Sequence, residues 1–130
     1  MGANPKILFV DDEPDFLETT IKRLVRRGYE ARTATNCDEA MVVLGSGWPD
    51  VVVLDVMLAG KDGIQCLQEI KKQWPRMTVI MLTGHASMGA GIRGLEYGAN
   101  EYCMKPIELD ELLEKITIAW HEASSSSRKQ

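Results

Sequence analysis

One stretch constrains the fold more than any other: the apolar run at residues 51–54, which ends abruptly in a carboxylate, Asp55. Three of its four residues are β-branched, which is typical of a strand buried on both faces in the middle of a parallel sheet. A charge is costly there unless it stands at the strand end with partners. Because ligands of open α/β sheets bind at the carboxyl ends of strands, Asp55 is predicted to be a reactive carboxylate with partners elsewhere in the chain.

The rest of the sequence alternates strands and helices around that run. Short apolar or β-branched segments predict further strands, and apolar residues at helical spacing predict the helices between them. The strands are predicted at 6–10, about 30–34, 77–82 and 102–104, and the helices at about 16–25, 37–44, 64–74, 86–97 and 109–120. This alternation, without repeats or a second core, predicts an α/β fold in which helices cover a parallel sheet.

Length and composition predict one domain with an ordinary core. The chain has 130 residues, of which 45% are hydrophobic and 26% charged, so it needs neither metal nor disulfide to fold. Its three cysteines are widely spaced, which argues against zinc and disulfides and favours reduced thiols and a cytoplasmic location. The net charge of −4 disfavours nucleic-acid binding, and no apolar run is long enough for a membrane span.

Two segments stand apart from this pattern. Gly89, Gly91 and Gly94 fall inside the fourth predicted helix, and each costs about 0.8–1 kcal/mol relative to alanine, so this helix is predicted to be short, bent or mobile. The chain from Ser124 onward has no apolar residue. We therefore predict a domain over residues 1–122 and a disordered tail or linker over 123–130.

Polar side chains follow four of the predicted strands, whose ends meet at one edge of the sheet. Three gathered carboxylates repel one another unless a cation lies among them, and their hard oxygen ligands favour Mg²⁺. A metal-bound carboxylate stays ionised and can attack a phosphoryl donor, while an ammonium and a hydroxyl hold the phosphoryl oxygens. The residues concerned are Asp11, Asp12, Asp55, Thr83 and Lys105.

Over residues 6–120 the chain resembles the receiver domains of two-component response regulators. The resemblance implies a doubly wound, flavodoxin-like sheet of five parallel strands in the order 2-1-3-4-5, with five helices. It is carried by four motifs in order: Asp11-Asp12-Glu13-Pro14, Leu54-Asp55-Val56-Met57-Leu58 with Asp62-Gly63, Leu82-Thr83-Gly84, and Gly98-Ala99 through Lys105-Pro106.

The resemblance also implies a role for each site residue. Asp55 would accept a phosphoryl group from the phosphohistidine of a sensor histidine kinase or phosphotransfer protein. Mg²⁺ would be bound by Asp12, by Asp55 and by the backbone carbonyl of Met57, and Asp11 would act mainly through a metal-bound water. Thr83 and Lys105 would hold the phosphoryl oxygens, and the Lys105-Pro106 peptide would be cis.

The same resemblance implies a switch rather than an enzyme that turns over a diffusing substrate. Thr83 and Tyr102 would change position on phosphorylation and remodel the face formed by the fourth helix, the fifth strand and the last helix. The implied partners are an unidentified output protein or a further domain of a longer protein, with homodimerisation through that face. Ala59 departs from the proline of many relatives, and Met57 and His85 stand where the family tunes phosphoryl hydrolysis.

Three other functions remain alternatives at this stage. A haloacid-dehalogenase-like phosphatase needs a second acid two residues after the nucleophile, where this chain has Met57, which cannot transfer protons. A flavodoxin-like cofactor domain needs a phosphate-binding loop after the first strand, where Asp11 and Asp12 would repel phosphate. A phosphorylation-independent interaction domain is disfavoured by the intact set of five polar residues but stays open.

Overall fold

The computed structural model describes residues 4–58, 61–84 and 88–128, and a five-stranded parallel sheet lies at its centre. Its strands are β1 (Ile7–Val10), β2 (Ala31–Ala34), β3 (Val51–Asp55), β6 (Thr78–Thr83) and β7 (Glu101–Met104). Two short strands, β4 (Met57–Leu58) and β5 (Lys61–Asp62), form a separate antiparallel pair. The sheet order is β2-β1-β3-β6-β7. Without the short pair this is the order 2-1-3-4-5, so the predicted fold is confirmed.

The helices follow the predicted alternation with the strands. They are α1 (Pro14–Arg26), α2 (Cys37–Gly45), α3 (Gly63–Gln73), α4 (Met88–Glu96) and α5 (Leu109–Arg128). Two begin at side-chain caps, because Asn36 accepts from the Glu39 N–H and Asp62 from the Ile64 N–H, each at 2.9 Å. None of the described helices is both long and apolar enough to cross a membrane.

The core lies on both faces of the sheet, as the apolar run of β3 predicts. Val51 and Val53 pack with residues of α1 and α5, whereas Val52 and Leu54 pack with residues of α2 and α3. This alternation is the two-residue period of an extended strand. All four side chains are at most 1% exposed. β3 is thus held rigidly from both sides, and it carries Asp55 at its end.

Helix α5 is longer than the sequence indicates. Its apolar stripe ends at Trp120, yet the structure continues the helix to Arg128, so residues 123–128 are helical where a disordered tail or linker was predicted. Serine has only a modestly unfavourable helix propensity, and an established helix adds residues more easily than a new one nucleates. Ala123 and Ser124 are also half-buried. A domain boundary near residue 122 stays a prediction.

Helix α4 has nine residues, Met88–Glu96, against the predicted 86–97, and Ala86 lies outside the described residues. One of its glycines has a packing role that composition does not reveal. A Cβ on Gly94 would stand 2.9 Å from Cγ of Met81 in β6, so the missing side chain lets α4 lie close to the sheet. The predicted mobility of this helix stays a prediction.

The expectation of reduced cysteines is wrong for one pair. Cys37, at the start of α2, and Cys66, in α3, form a disulfide with their Cα atoms 5.8 Å apart. Both side chains are buried, and Cys103 is a free buried thiol. The pairing is invisible in the sequence because the two residues are 29 positions apart and meet only when α2 and α3 pack side by side.

The disulfide predicts a thiol count. Protein unfolded in guanidinium without reductant should react with a thiol reagent once per chain, at Cys103, and three times after reduction. Cys103→Ser should remove the single reactive thiol of the unreduced sample, because the disulfide leaves Cys37 and Cys66 without a free thiol. Three reactive thiols in freshly purified, unreduced protein would show that the link does not form.

Candidate functional site

The predicted site residues meet at the carboxyl edge of the sheet. Asp11 follows β1, Asp55 ends β3, Thr83 ends β6 and Lys105 follows β7. Because β1, β3, β6 and β7 are neighbours and run in parallel, their ends face the same side. Asp11, Asp55 and Thr83 are among the few buried polar side chains of the described residues, at 2%, 7% and 0% exposure. The structure therefore brings together residues far apart in sequence.

Three carboxylates form the acidic part of the site. Asp11, Asp12 and Asp55 each offer an oxygen, and these oxygens lie within 4.8 Å of one another. Asp11 and Asp55 are buried while Asp12 is exposed, so the cluster opens to solvent on one side. Convergent hard oxygens with room for water are the ligands that Mg²⁺ prefers. The donor set thus fits a divalent cation, as the sequence predicts.

Backbone groups orient two of these carboxylates. The Glu13 N–H donates to Oδ1 of Asp11 at 2.9 Å, and the Met57 N–H donates to Oδ1 of Asp55 at 3.1 Å. Each bond fixes one carboxylate oxygen and leaves Oδ2 for other partners. The backbone at Met57 is therefore held to the Asp55 carboxylate, and the role of the Met57 carbonyl as a metal ligand stays a prediction.

Lys105 is the cation of the site and contacts several acids at once. Its Nζ lies 2.8 Å from Oδ2 of Asp11, 2.9 Å from Oε1 of Glu13 and 3.6 Å from Oδ2 of Asp55. It also stands 4.5 Å from the ring centroid of Phe16, within cation–π distance. The Lys105-Pro106 peptide is cis, as predicted, and the Lys105 N–H donates to the Thr83 carbonyl at 2.6 Å.

The pKa values of Asp55 and Lys105 are both raised, each for a different physical reason. Burial is the main cause that raises the pKa of Asp55 from 3.8 to about 6, against the opposing hydrogen bond from the Met57 N–H. Asp11 and Asp12 raise it further, and Lys105 lowers it. Burial alone would lower the pKa of Lys105, but its bonds to Asp11 and Glu13 outweigh burial and raise it. Lys105 thus stays protonated, whereas Asp55, with a pKa of about 6, is mostly ionised at neutral pH.

The two predicted switch residues lie on the neighbouring strands β6 and β7. Thr83 is fully buried, and its hydroxyl donates to the carbonyl of Cys103 in β7, at 3.5 Å. Tyr102 is half-buried and packs against the core on the α2 and α3 side of the sheet. Their movement on phosphorylation stays a prediction. His85 and Ala59 lie outside the described residues.

Sequence reasoning missed three residues that shape the site. Glu13 and Phe16 both hold Lys105, although they were interpreted only as motif and helix-face residues. Gly63 lies against the backbone that carries Asp55, where a Cβ would overlap the carbonyl oxygens of Asp55 and Val56. Glu13 stands two residues after Asp11, near the carboxyl end of β1, and this position was the one available indication that it contacts the site.

Comparison with known proteins gives a consistent result. A family model described as the response regulator receiver domain matches residues 7–117. The chain is 40% identical over 111 residues to a probable transcriptional regulator, ycf27, of Porphyra purpurea, covering 85% of this chain and 45% of that protein. It is 35% identical over 109 residues to the nitrogen assimilation regulatory protein NtrX of Azorhizobium caulinodans, covering 82% and 24%. It therefore spans less than half the length of these relatives.

Solved structures resemble the fold over almost the whole described chain. The receiver domain of NtrX from Brucella abortus superposes with a TM-score of 0.83 at 35% identity, over 88% of this chain and 98% of that one. A response regulator receiver domain protein from Methanospirillum hungatei gives a TM-score of 0.86 at 31% identity, over 95% and 99%. Both neighbours have the length of a receiver domain alone.

Proposed function

We propose that this chain, which belongs to the response regulator receiver domain family, is a signalling switch that accepts a phosphoryl group on Asp55. One observation carries the proposal: Asp55 ends a strand buried on both faces, yet its carboxylate lies beside two other carboxylates and 3.6 Å from Lys105. Burying a carboxylate beside other carboxylates costs free energy, so this arrangement is typical of a site that uses the charge. A carboxylate that accepts a phosphoryl group goes from one negative charge to two. A cation held by the acidic cluster and the ammonium of Lys105 would both stabilise this added charge.

The proposed reaction is a transfer from a phosphohistidine of a sensor histidine kinase or phosphotransfer protein. A carboxylate oxygen of Asp55 forms a bond to phosphorus, the phosphorus–nitrogen bond breaks, and its electron pair returns to the imidazole. Asp55 must be ionised to attack, and a pKa of about 6 leaves it mostly ionised at neutral pH. Its Oδ2 faces Lys105, while Oδ1 is held by the Met57 N–H.

The other side chains stabilise the charge that develops on the phosphoryl oxygens. Asp12 and Asp55, with the Met57 carbonyl, would hold Mg²⁺ directly and Asp11 would hold it mainly through a water, and the ion would supply positive charge to these oxygens. Lys105 supplies a second positive charge, which its raised pKa keeps in place. The Thr83 hydroxyl, now directed at the Cys103 carbonyl, turns toward the phosphoryl group once that group is present.

We propose that the signal leaves through the face of α4, β7 and α5. Exposed apolar side chains on two of these elements, Ile92, Leu95 and Ile118, are 44%, 40% and 52% exposed and suit a protein contact. The occupant is an output protein, a further domain of a longer protein, or a second copy of this chain. We place the switch in the cytoplasm because its proposed partner is a kinase, although the Cys37–Cys66 disulfide is unusual in that compartment. We also propose that it catalyses only its own phosphorylation and dephosphorylation.

Intact mass measurement tests the acceptor. Protein incubated with Mg²⁺ and a small phosphodonor such as phosphoramidate should gain one phosphoryl group, and EDTA should prevent the gain. Asp55→Asn should abolish it, whereas Asp38→Asn, an exposed acid in the first turn of α2, should leave it unchanged. The gain should also disappear on treatment with hydroxylamine, which cleaves acyl phosphates. A gain that survives Asp55→Asn would contradict the proposal.

A further inference from the structure

Lys105 and a divalent cation would compete for the same carboxylate. The closest contact of the ammonium is Oδ2 of Asp11, at 2.8 Å, and Asp11 is also the most buried member of the acidic cluster. A cation that engages Asp11, directly or through a bound water, would share this carboxylate with the ammonium and stand close to it. Two positive charges at such a distance repel strongly in a partly buried site. The ammonium therefore needs a second partner that the metal does not use.

Glu13 has the geometry of that second partner. Its Oε1 lies 2.9 Å from Nζ of Lys105, almost as close as Asp11, while Asp55 is at 3.6 Å. Its side chain is 62% exposed and is not part of the acidic cluster, so metal binding would leave its carboxylate to Lys105. The Phe16 ring face, 4.5 Å from Nζ, offers a second favourable surface beside it.

We propose that Glu13 is a positioning residue, which keeps the Lys105 ammonium beside the site when a divalent cation shares the carboxylate of Asp11. The inference rests on the proposed function, because it assumes that the acidic cluster binds a cation. In the free protein Lys105 has two close carboxylates, whereas in the metal-bound protein Asp11 would be shared with the cation and Glu13 would not. Glu13 thus stabilises the metal-bound state more than the free state and raises metal affinity through Lys105.

Binding of Mn²⁺, followed by the electron paramagnetic resonance of the free ion, measures this effect without phosphorylation. Mn²⁺ shares the preference of Mg²⁺ for oxygen ligands. Glu13→Gln should raise the Kd for Mn²⁺ about five-fold. Asp15→Asn removes the same charge from the first turn of α1 and should change the Kd less than about two-fold, because exposed charges are well screened. Equal effects of the two substitutions would overturn the proposal.

A double-mutant cycle separates action through Lys105 from a direct effect on the metal. Lys105→Gln removes the ammonium, and in that background Glu13→Gln should change the Kd less than about two-fold. Lys105→Arg keeps a cation and should preserve most of the dependence on Glu13. The same loss with and without the lysine would overturn the proposal. Wild-type protein that binds no Mn²⁺ would instead overturn the metal site of the proposed function, and this inference with it.

Discussion

At pH 8 and without divalent metal, Asp55→Asn is expected to raise the free energy of unfolding by about 2–3 kcal/mol. The folded protein holds the Asp55 carboxylate in a buried position near two other acids, which raises its pKa from 3.8 to about 6. Each pKa unit corresponds to about 1.4 kcal/mol, so ionising Asp55 makes the folded state less stable by that order. Asparagine has nearly the same shape, carries no charge and still offers an oxygen to the Met57 N–H.

The gain in the free energy of unfolding of Asp55→Asn should grow as pH rises. Between pH 3.8 and about 6 the folded state holds a proton on Asp55 that the unfolded state has lost, so the stability of the wild type falls as pH rises through this window. Denaturant unfolding in EDTA should therefore show most of the gain at pH 8 and little at pH 4. The difference between variant and wild type cancels the titration of the other acids.

Two comparisons test the cause. Asp15→Asn, which removes an exposed acid from the first turn of α1, should change the free energy of unfolding at pH 8 far less than Asp55→Asn does. Added Mg²⁺ should stabilise the wild type and reduce the advantage of Asp55→Asn, because the variant lacks a ligand. A gain of equal size at pH 4 and pH 8 would show that packing, and not charge, is responsible.

The position of Asp55 could be predicted from sequence because strand burial leaves a short-range pattern. A β-branched run that ends in an acid marks both the central strand and its functional end, and parallel topology then brings Asp11, Thr83 and Lys105 to the same edge. These inferences need only the direction and order of the strands. They do not need the direction of any helix side chain, which is why they were reliable.

The contacts that sequence reasoning missed depend on how helices pack. Cys37 meets Cys66 across α2 and α3, and Glu13 meets Lys105 across 92 positions of sequence, and neither pair follows a local period. The end of α5 at Arg128 was missed for another reason, since serine disfavours a helix too weakly to fix its end. Local patterns thus predicted which strand ends form the site. The contact between Glu13 and Lys105 depends on tertiary packing and could not be predicted in this way.

Gly63 is such a case, and Gly63→Ala is expected to lower the free energy of unfolding by about 3 kcal/mol, at the upper end for added volume in a packed interior. Gly63 begins α3 directly against the end of β3, and its N–H donates to the Val56 carbonyl at 2.7 Å. A Cβ there would overlap two backbone oxygens and stand 2.7 Å from Cα of Val56. That backbone belongs to a stretch fixed on both faces, so it yields only by moving Asp55.

Gly89→Ala provides a matched control with the opposite sign. Gly89 is exposed in α4 with nothing within 4 Å of its added Cβ, so alanine should raise stability by up to about 1 kcal/mol through helix propensity. Urea unfolding compares the two variants directly. Gly63→Ala should also slow phosphorylation by phosphoramidate, whereas Gly89→Ala should not affect the chemistry at Asp55. Wild-type stability for Gly63→Ala would show that the Asp55–Val56 backbone has freedom to move, in which case the acceptor is not rigidly placed by its strand.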